Sequence, residues 1–326
     1  MPAFYSHFSF GIQGYKRIAD ADLRSVIKRH QTVYTMGLLG PDLFFYFLPD
    51  VMFGRKKPAI VMHEYKTNLF FENLLKEMEV LPGLEREIAC AYIAGFMGHY
   101  AMDVACHPYI YEMAAKHDNP SSWHYTYESA MDIYCCRHFL HRYPAQIRQH
   151  RLLHLSPLEM RTVCRLASRA YNKTYRLPYT APFTIKGAIG CMHVTIALLN
   201  DKKGRKESFI NKLESRLLGY GLISPLFVNF NMYQMDRQEI AHFMKLFHQG
   251  QEQFAKYLEK LAAFQRILPD KSKKLHAHRR SIGFLAEKAA IEARTNRQRT
   301  DLLKCLGNRS YHTGKPCNPA YLIMRK

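Results

Sequence analysis

The segment AYIAGFMGHYAMDVACHP, from Ala91 to Pro108, constrains this chain more than any other. It is apolar and rich in small residues, as a helix packed on most of its sides must be. Apart from Tyr92 and Tyr100, its ionisable side chains are His99, Asp103 and His107. The spacing i, i+4, i+8 puts all three on one stripe of the helix. Ionisable groups buried without partners are costly, so something must satisfy them. Two readings meet that demand: a hydrogen-bonded His–Asp pair facing a cleft, or a metal ion that takes all three side chains.

A second stretch, SSWHYTYESAMD, repeats the spacing with His124 and Glu128. Ser121 or Ser122 is the expected N-cap. Helices that each present a His and a carboxylate one turn apart are how helical bundles assemble multi-metal sites. Asp132, one step further along, reads as a helix-surface group or as a support for the ligands. Imidazole and carboxylate donors without Cys suit zinc in a catalytic role. Two single residues join them. Asp42 stands at a Gly-Pro turn in GPDLFFY, and His63 in VMHEYKTNLFF is expected at the start of a helix.

Helical periodicity dominates the rest, and period-2 alternation is scarce. Helices are expected near 12–31, 64–80, 84–106, 122–142, 157–175, 207–219, 237–264 and 281–303. Pro108 is expected to stop the third of these. Each apolar stripe needs another helix to cover it, which predicts an all-α, multi-helix bundle. A helical domain is expected over residues 1–264, with a basic linker at 265–280 and a C-terminal helix and tail at 281–326.

With 48% hydrophobic residues, the chain has the means to bury one large core, and low-complexity disorder is excluded. No apolar run is expected to reach the ~18 residues of a membrane span. The start, MPAFYSHFSFG, has no basic stretch ahead of an apolar one and no cleavage pattern, so a cytoplasmic protein is expected. The eight cysteines include no CxxC pair and read as reduced core residues. The net charge of +20 is unevenly placed: residues 1–135 hold 12 Lys/Arg against 15 Asp/Glu, and residues 136–326 hold 35 against 12. A basic second part suits anionic partners such as phospholipid headgroups at a membrane surface, or nucleic acid. It also suits a solvated face that only keeps the protein soluble.

In order and spacing, FYSHF with His7, LGPDLFFY, His63 ahead of an aromatic helix, GHYAMDVACHPY and WHYTYE resemble the bacterial zinc-dependent phospholipase C family. That family shares its fold with the single-strand-specific zinc nucleases. The resemblance covers about residues 1–135, and GHxxxDxxxHP is its most specific part. It implies two or three zinc ions. Asp42, His63, His99 and Asp103 would hold one. His7 and a bridging Asp103 would share a second. His107, His124 and Glu128 would hold the third. In the family a free N-terminal amine completes the second site on an exposed Trp. This chain begins Met1-Pro2, and removal of Met1 would leave Pro2 in that place. Asp42 would also orient or deprotonate the attacking water, as a carboxylate within reach of it can.

Three functions follow: hydrolysis of a phospholipid phosphodiester, nuclease activity on the same scaffold, or a catalytically inactive metal-binding relative. The motif spelling favours the first, while Arg169–Tyr179 has the basic and aromatic texture of a single-strand binder. His30, His117, His138, His141, His150 and His154 read as core or surface residues. HAHRR at His276–Arg280 reads as solvated linker. GNRSYHTGKPC, from Gly307 to Cys317, has the look of an anion-binding loop but not the Walker spacing, and reads as a plain loop. The run Phe44, Phe45, Tyr46, Phe47 reads as core, with one ring free to line a headgroup pocket.

Overall fold

Residues 4–47, 58–176, 181–201, 203–217, 227, 233–269 and 282–317 are described by a computed structural model of the chain. Among them every regular element is a helix, and the one pairing of extended backbone is the bridge between Arg309 and Pro316. The all-α expectation holds.

The longer helices are α1 (Phe4–Lys16), α2 (Ala21–Arg29), α3 (Gln31–Leu38), α4 (Pro58–Glu64), α5 (Thr67–Val80), α6 (Gly83–Ala114) and α7 (Pro120–Cys135). They continue with α8 (Pro157–Tyr175), α9 (Pro182–Leu199), α10 (Arg205–Leu217), α11 (Arg237–Ile267) and α12 (Ile282–Leu306). A 3-10 helix, Gly40–Tyr46, joins α3 to the segment before α4. Helix α6 is the axis of the molecule, in contact with α1, α2, α3, α7, α8 and α11. It takes that place because its sequence has no wide polar face between Ile88 and Met102, where every side chain is buried. Tyr92, Phe96 and Tyr100 are fully enclosed, and each large apolar side chain so buried contributes about 1.5–3 kcal/mol.

The contact between α3 and α6 is made backbone to backbone. A Cβ at Gly95 would lie 2.0 Å from the Tyr34 carbonyl oxygen, and one at Gly37 would lie 2.3 Å from that of Tyr92. Two glycines at this crossing let the helices approach closely enough to bring the end of α3 against His99.

Several sequence expectations are corrected. The helix expected over 12–31 is two, because Asp20 caps a fresh start by accepting the Leu23 N–H at 2.8 Å. His63 lies in the last turn of the separate helix α4, and the chain turns at Lys66 (φ 55°) before α5 begins. Asn119, not a serine, caps α7, accepting the Ser122 N–H at 3.1 Å. Pro108 sits inside α6, which runs on to Ala114. Loss of one backbone hydrogen bond is tolerated there because the extra turns bury Ile110 and Ala114.

Helix α9 also departs from expectation: its 18 residues are long and apolar enough to cross a membrane by length and composition. Glycine, alanine and threonine between its larger side chains, with Lys186 its single charge, extend the apolar run beyond what a scan for large residues detects. One face of α9, including Ile185, Ala188, Ile189, Met192 and Ile196, is buried, and the helix meets α8 and the 3-10 segment of Asp42. Helix α12 lies along α11 and α5 with Leu302 and Leu306 buried. Helix α11 reaches Ile267, into the stretch expected as linker. Residues 270–281 lie outside the described residues, as does Pro2.

Candidate metal centre

The stripe of α6 delivers His99, Asp103 and His107 to the inside of the bundle, where all three are buried. Four other elements converge on it. Helix α1 brings His7, whose Nε2 lies 3.1 Å from Asp103 Oδ1. Helix α4 brings His63, with Nε2 3.5 Å from Asp103 Oδ2 and 3.3 Å from Asp42 Oδ1. The 3-10 helix brings Asp42. Helix α7 brings His124, with Nε2 3.1 Å from Glu128 Oε1 on the same helix, and that oxygen is 3.4 Å from His107 Nε2. Asp103 stands at the centre, its Oδ2 also 2.9 Å from His99 Nε2 and 3.5 Å from His107 Nδ1.

The result is three groups whose ligand atoms lie within 4.8 Å of one another and that could hold metal ions: His7, His99 and Asp103; Asp42, His63 and His99; His107, His124 and Glu128. All eight side chains singled out as ligands in the sequence fall in these groups.

Local structure explains why each side chain arrives correctly turned. Gly40 has φ +52°, and a Cβ there would lie 2.4 Å from the ring of His99. Glycine thus lets the chain fold tightly over the imidazole while turning Asp42 toward it. Three imidazoles are oriented through Nδ1 by backbone carbonyls: His63 by Ala59 at 2.7 Å, His99 by Leu38 at 3.1 Å and His107 by Tyr311 at 3.2 Å. An Nδ1–H given to a carbonyl leaves Nε2 as the lone-pair atom, the arrangement that metal-binding histidines use. Asp132 supports His7 indirectly. It is buried rather than on the helix surface, and accepts the Ser6 N–H at 2.7 Å.

The electrostatics are those of a site built for cations. Asp42 and Asp103 are held below the usual carboxylate range, Asp103 strongly. Burial opposes this in both, and the surrounding imidazoles more than compensate. Glu128 is drawn down to about 2, again against burial, by His124 and His107. His63 is raised to about 10: burial would lower it, but Asp103 and Asp42 hold the proton. His99 goes the other way because burial prevails over Asp103.

Unpartnered atoms test whether a metal fits. Four buried side-chain atoms of these groups make no hydrogen bond: His7 Nδ1, His99 Nε2, Asp103 Oδ2 and His124 Nδ1. The close pair of His99 Nε2 and Asp103 Oδ2 is among them, so the two atoms are near each other without a hydrogen bond between them. Each such atom costs about 1–3 kcal/mol if left unsatisfied, and a divalent cation accepted by both removes that cost. Nitrogen and carboxylate donors without thiolate fit zinc.

The sequence reading missed the far end of the chain. The loop Gly307–Cys317 folds over the centre, where the Tyr311 N–H donates to the His63 carbonyl at 2.7 Å. His312 stacks on the His63 ring, with centroids 4.8 Å apart and planes at 18°. Burial and the nearby His63 and His107 push the His312 imidazole down to about 3. The texture of this loop was visible in the sequence. Its place was not, because 204 residues separate Tyr311 from His107.

Helical side chains converging on buried groups of imidazole and carboxylate define an all-α protein with candidate metal sites. A family model described as zinc dependent phospholipase C matches residues 6–176, and the chain belongs to that family. No curated protein and no solved structure matches it. The matched span holds all eight metal-site side chains, and the loop that covers them lies outside it.

Proposed function

We propose that this chain is a phospholipase C-like phosphodiesterase that releases a diacylglycerol and a phosphorylated headgroup. The observation that carries the reading is the convergence of five separate elements on one buried centre, at whose middle both carboxylate oxygens of Asp103 face imidazoles from α1, α4 and α6. In this reading Asp42, His63, His99 and Asp103 hold one ion, His7 and Asp103 share a second, and His107, His124 and Glu128 hold a third. Bound zinc would supply Lewis acidity toward the phosphoryl oxygens and acidify a water.

The protein's own part is binding, orientation and proton handling. Among the three carboxylates of the groups, Asp42 is the one least enclosed, at 15% side-chain exposure against 2% for Asp103 and 7% for Glu128. A carboxylate on the solvent side is placed to take the proton of the attacking water. Water adds across the P–O bond, its first proton passes to an Asp42 oxygen, and a proton is finally delivered to the leaving alkoxide. The aromatic floor of Phe44 and Tyr46 is buried as core, while Phe45, partly buried, has its ring centroid 5.9 Å from that of His63.

A lipid substrate is favoured by the surface of the second part. Phe183, Val194 and Leu198 on α9 and Phe209, Leu213 and Leu217 on α10 are exposed, and the same two helices carry exposed Lys186, Arg205, Lys206, Lys212 and Arg216. Apolar side chains rimmed by Lys and Arg suit an anionic membrane surface.

Elemental analysis paired with hydrolysis of phosphatidylcholine and of single-stranded DNA tests this function. Zinc with lipid turnover is the expected result. DNA cleavage without lipid turnover would make the chain a nuclease, and bound zinc with neither activity would make it an inactive relative.

A further inference from the structure

We propose that the C-terminal loop Gly307–Cys317 is a working wall of the substrate site, in which His312 donates a hydrogen bond to the phosphoryl group of the substrate. The inference rests on the phosphodiesterase reading above and adds a residue that the family match does not reach.

The loop is built to hold one shape. Ser310 N–H donates to the Lys315 carbonyl at 2.8 Å, Gly314 N–H to that of Ser310 at 2.9 Å, and Cys317 N–H to that of Asn308 at 2.9 Å. Inside the turn, Ser310 Oγ accepts the N–H groups of His312 and Thr313 at 3.2 and 3.3 Å. The loop is also fastened to the metal-centre elements. Thr67 Oγ1 donates to the Arg309 carbonyl at 2.8 Å. Tyr311 is fully buried, gives its N–H to His63 and receives His107 Nδ1 on its carbonyl. A residue gripped from both sides of its peptide fixes where its neighbour points.

That neighbour is His312. Its ring stacks on His63 and lies 6.0 Å from the ring of His107, so it spans two of the three metal-binding groups. Its side chain is 19% exposed, which puts it on the solvent boundary of the centre. The nearest carboxylate, Glu64 Oε1, is 3.7 Å from Nδ1, too far for a hydrogen bond.

The donor inventory decides what this ring is for. His63, His99 and His107 each commit Nδ1 to a backbone carbonyl and turn Nε2 toward the carboxylates. An imidazole so used has no N–H left for a phosphoryl oxygen. His312 makes no ring hydrogen bond among the described residues and so retains a donor at the mouth of the centre. An oxygen of a phosphodiester bound there meets His312 as an uncommitted imidazole N–H.

The test uses two variants that separate the donor from the ring. His312→Phe keeps an aromatic ring to stack on His63 and removes the N–H, whereas His312→Gln removes the ring and keeps an N–H at similar reach. Zinc content and thermal midpoint are measured on each full-length variant. Binding of inorganic phosphate is read from the visible spectrum of the cobalt-substituted protein, and turnover is followed on phosphatidylcholine vesicles. In His312→Phe, phosphate affinity and kcat/KM should both fall about tenfold, the scale of one hydrogen bond to a charged group. Zinc content should stay unchanged, and His312→Gln should recover most of the loss. Wild-type phosphate affinity in His312→Phe would overturn the proposal. So would recovery by Phe but not Gln, a loss of zinc that tracks the loss of affinity, or a deficit on inorganic phosphate with lipid turnover unchanged. If the wild type hydrolyses no phosphodiester, the phosphodiesterase reading fails, and phosphate binding by the two variants still decides the role of His312.

Discussion

Between residues 4 and 135 the helices bury their ionisable side chains: His7, His63, His99, Asp103, His107, Glu128 and Asp132 all lie inside. Among the described residues from 136 onward no Lys or Arg is buried, and large apolar side chains join them at the surface, with Phe183 78%, Phe209 67% and Leu217 70% exposed. Neither arrangement is what a chain optimised for stability alone would adopt. Buried carboxylates and imidazoles cost desolvation energy, and exposed phenylalanine invites association. The first region accepts its cost at a point where five elements meet, and the second accepts its own on two adjacent helices. The contrast sets a candidate metal centre in the first region against an exposed apolar and basic surface in the second, and it can be broken by experiment.

The largest effect is expected at Asp103. Because its two oxygens face four imidazoles, Asp103→Ala should lower phosphodiesterase activity by more than about 100-fold, beyond the 10–100-fold loss typical of residues that only support a ligand. Elemental analysis should show less zinc per chain, and retention of full zinc and activity would refute the assignment. Next comes Gly95→Ala. A methyl group 2.0 Å from the Tyr34 carbonyl oxygen forces α3 and α6 apart, and a cost of about 1–3 kcal/mol is expected from such overpacking. Denaturant unfolding would measure it, with loss of activity following because α3 carries the carbonyl that orients His99.

A change in the second region should act differently. Phe209→Glu together with Leu213→Glu should leave the thermal midpoint unchanged, since both side chains are exposed. It should lower turnover on anionic vesicles several-fold while sparing a soluble phosphodiester, as expected when an interfacial apolar contact is lost. Equal losses on both substrates would make this surface part of the core fold instead.

The smallest effect concerns Glu159, which pairs with His30 at 3.1 Å and closes the N-terminal capping box of α8 by accepting the Ser156 N–H at 2.9 Å. Burial would raise its pKa, but the Ser156 and His30 hydrogen bonds bring it below the usual value. A depressed folded-state pKa means stability that is present above the unfolded pKa and lost as pH falls through the folded one. Glu159→Gln should therefore cost no more than about 1 kcal/mol at pH 7. The gap from the wild type should close on acidification through the carboxylate range, which thermal melts across pH would show.

The metal-centre residues were legible because the chemistry is local: His99, Asp103 and His107, and likewise His124 and Glu128, sit at single-turn spacing on one helix each. Asp42 at its Gly-Pro turn and His63 ahead of an aromatic helix were weak signals taken singly, since a lone residue has no period to betray it, and His7 stood out only through the family resemblance. What escaped was tertiary. Pro108 reads as a stop in sequence, and only the burial of Ile110 and Ala114 shows why α6 continues. The membrane-span length of α9 was hidden by its small residues. Tyr311 and His312 could not be placed, because no local rule says that a loop folds back across two thirds of the chain. Asp132 read either as a surface group or as a support for the ligands, and only the packing of α1 on it decides for the second.

One consequence of the fastening between Tyr311 and His107 concerns synthesis. A polypeptide that has left the ribosome only as far as α12 already carries all eight metal-site side chains, yet His107 still lacks the carbonyl that orients its ring and the mouth lacks His312. The centre takes its finished form only once residues 307–317, which follow α12 in the chain, are available to fold over it.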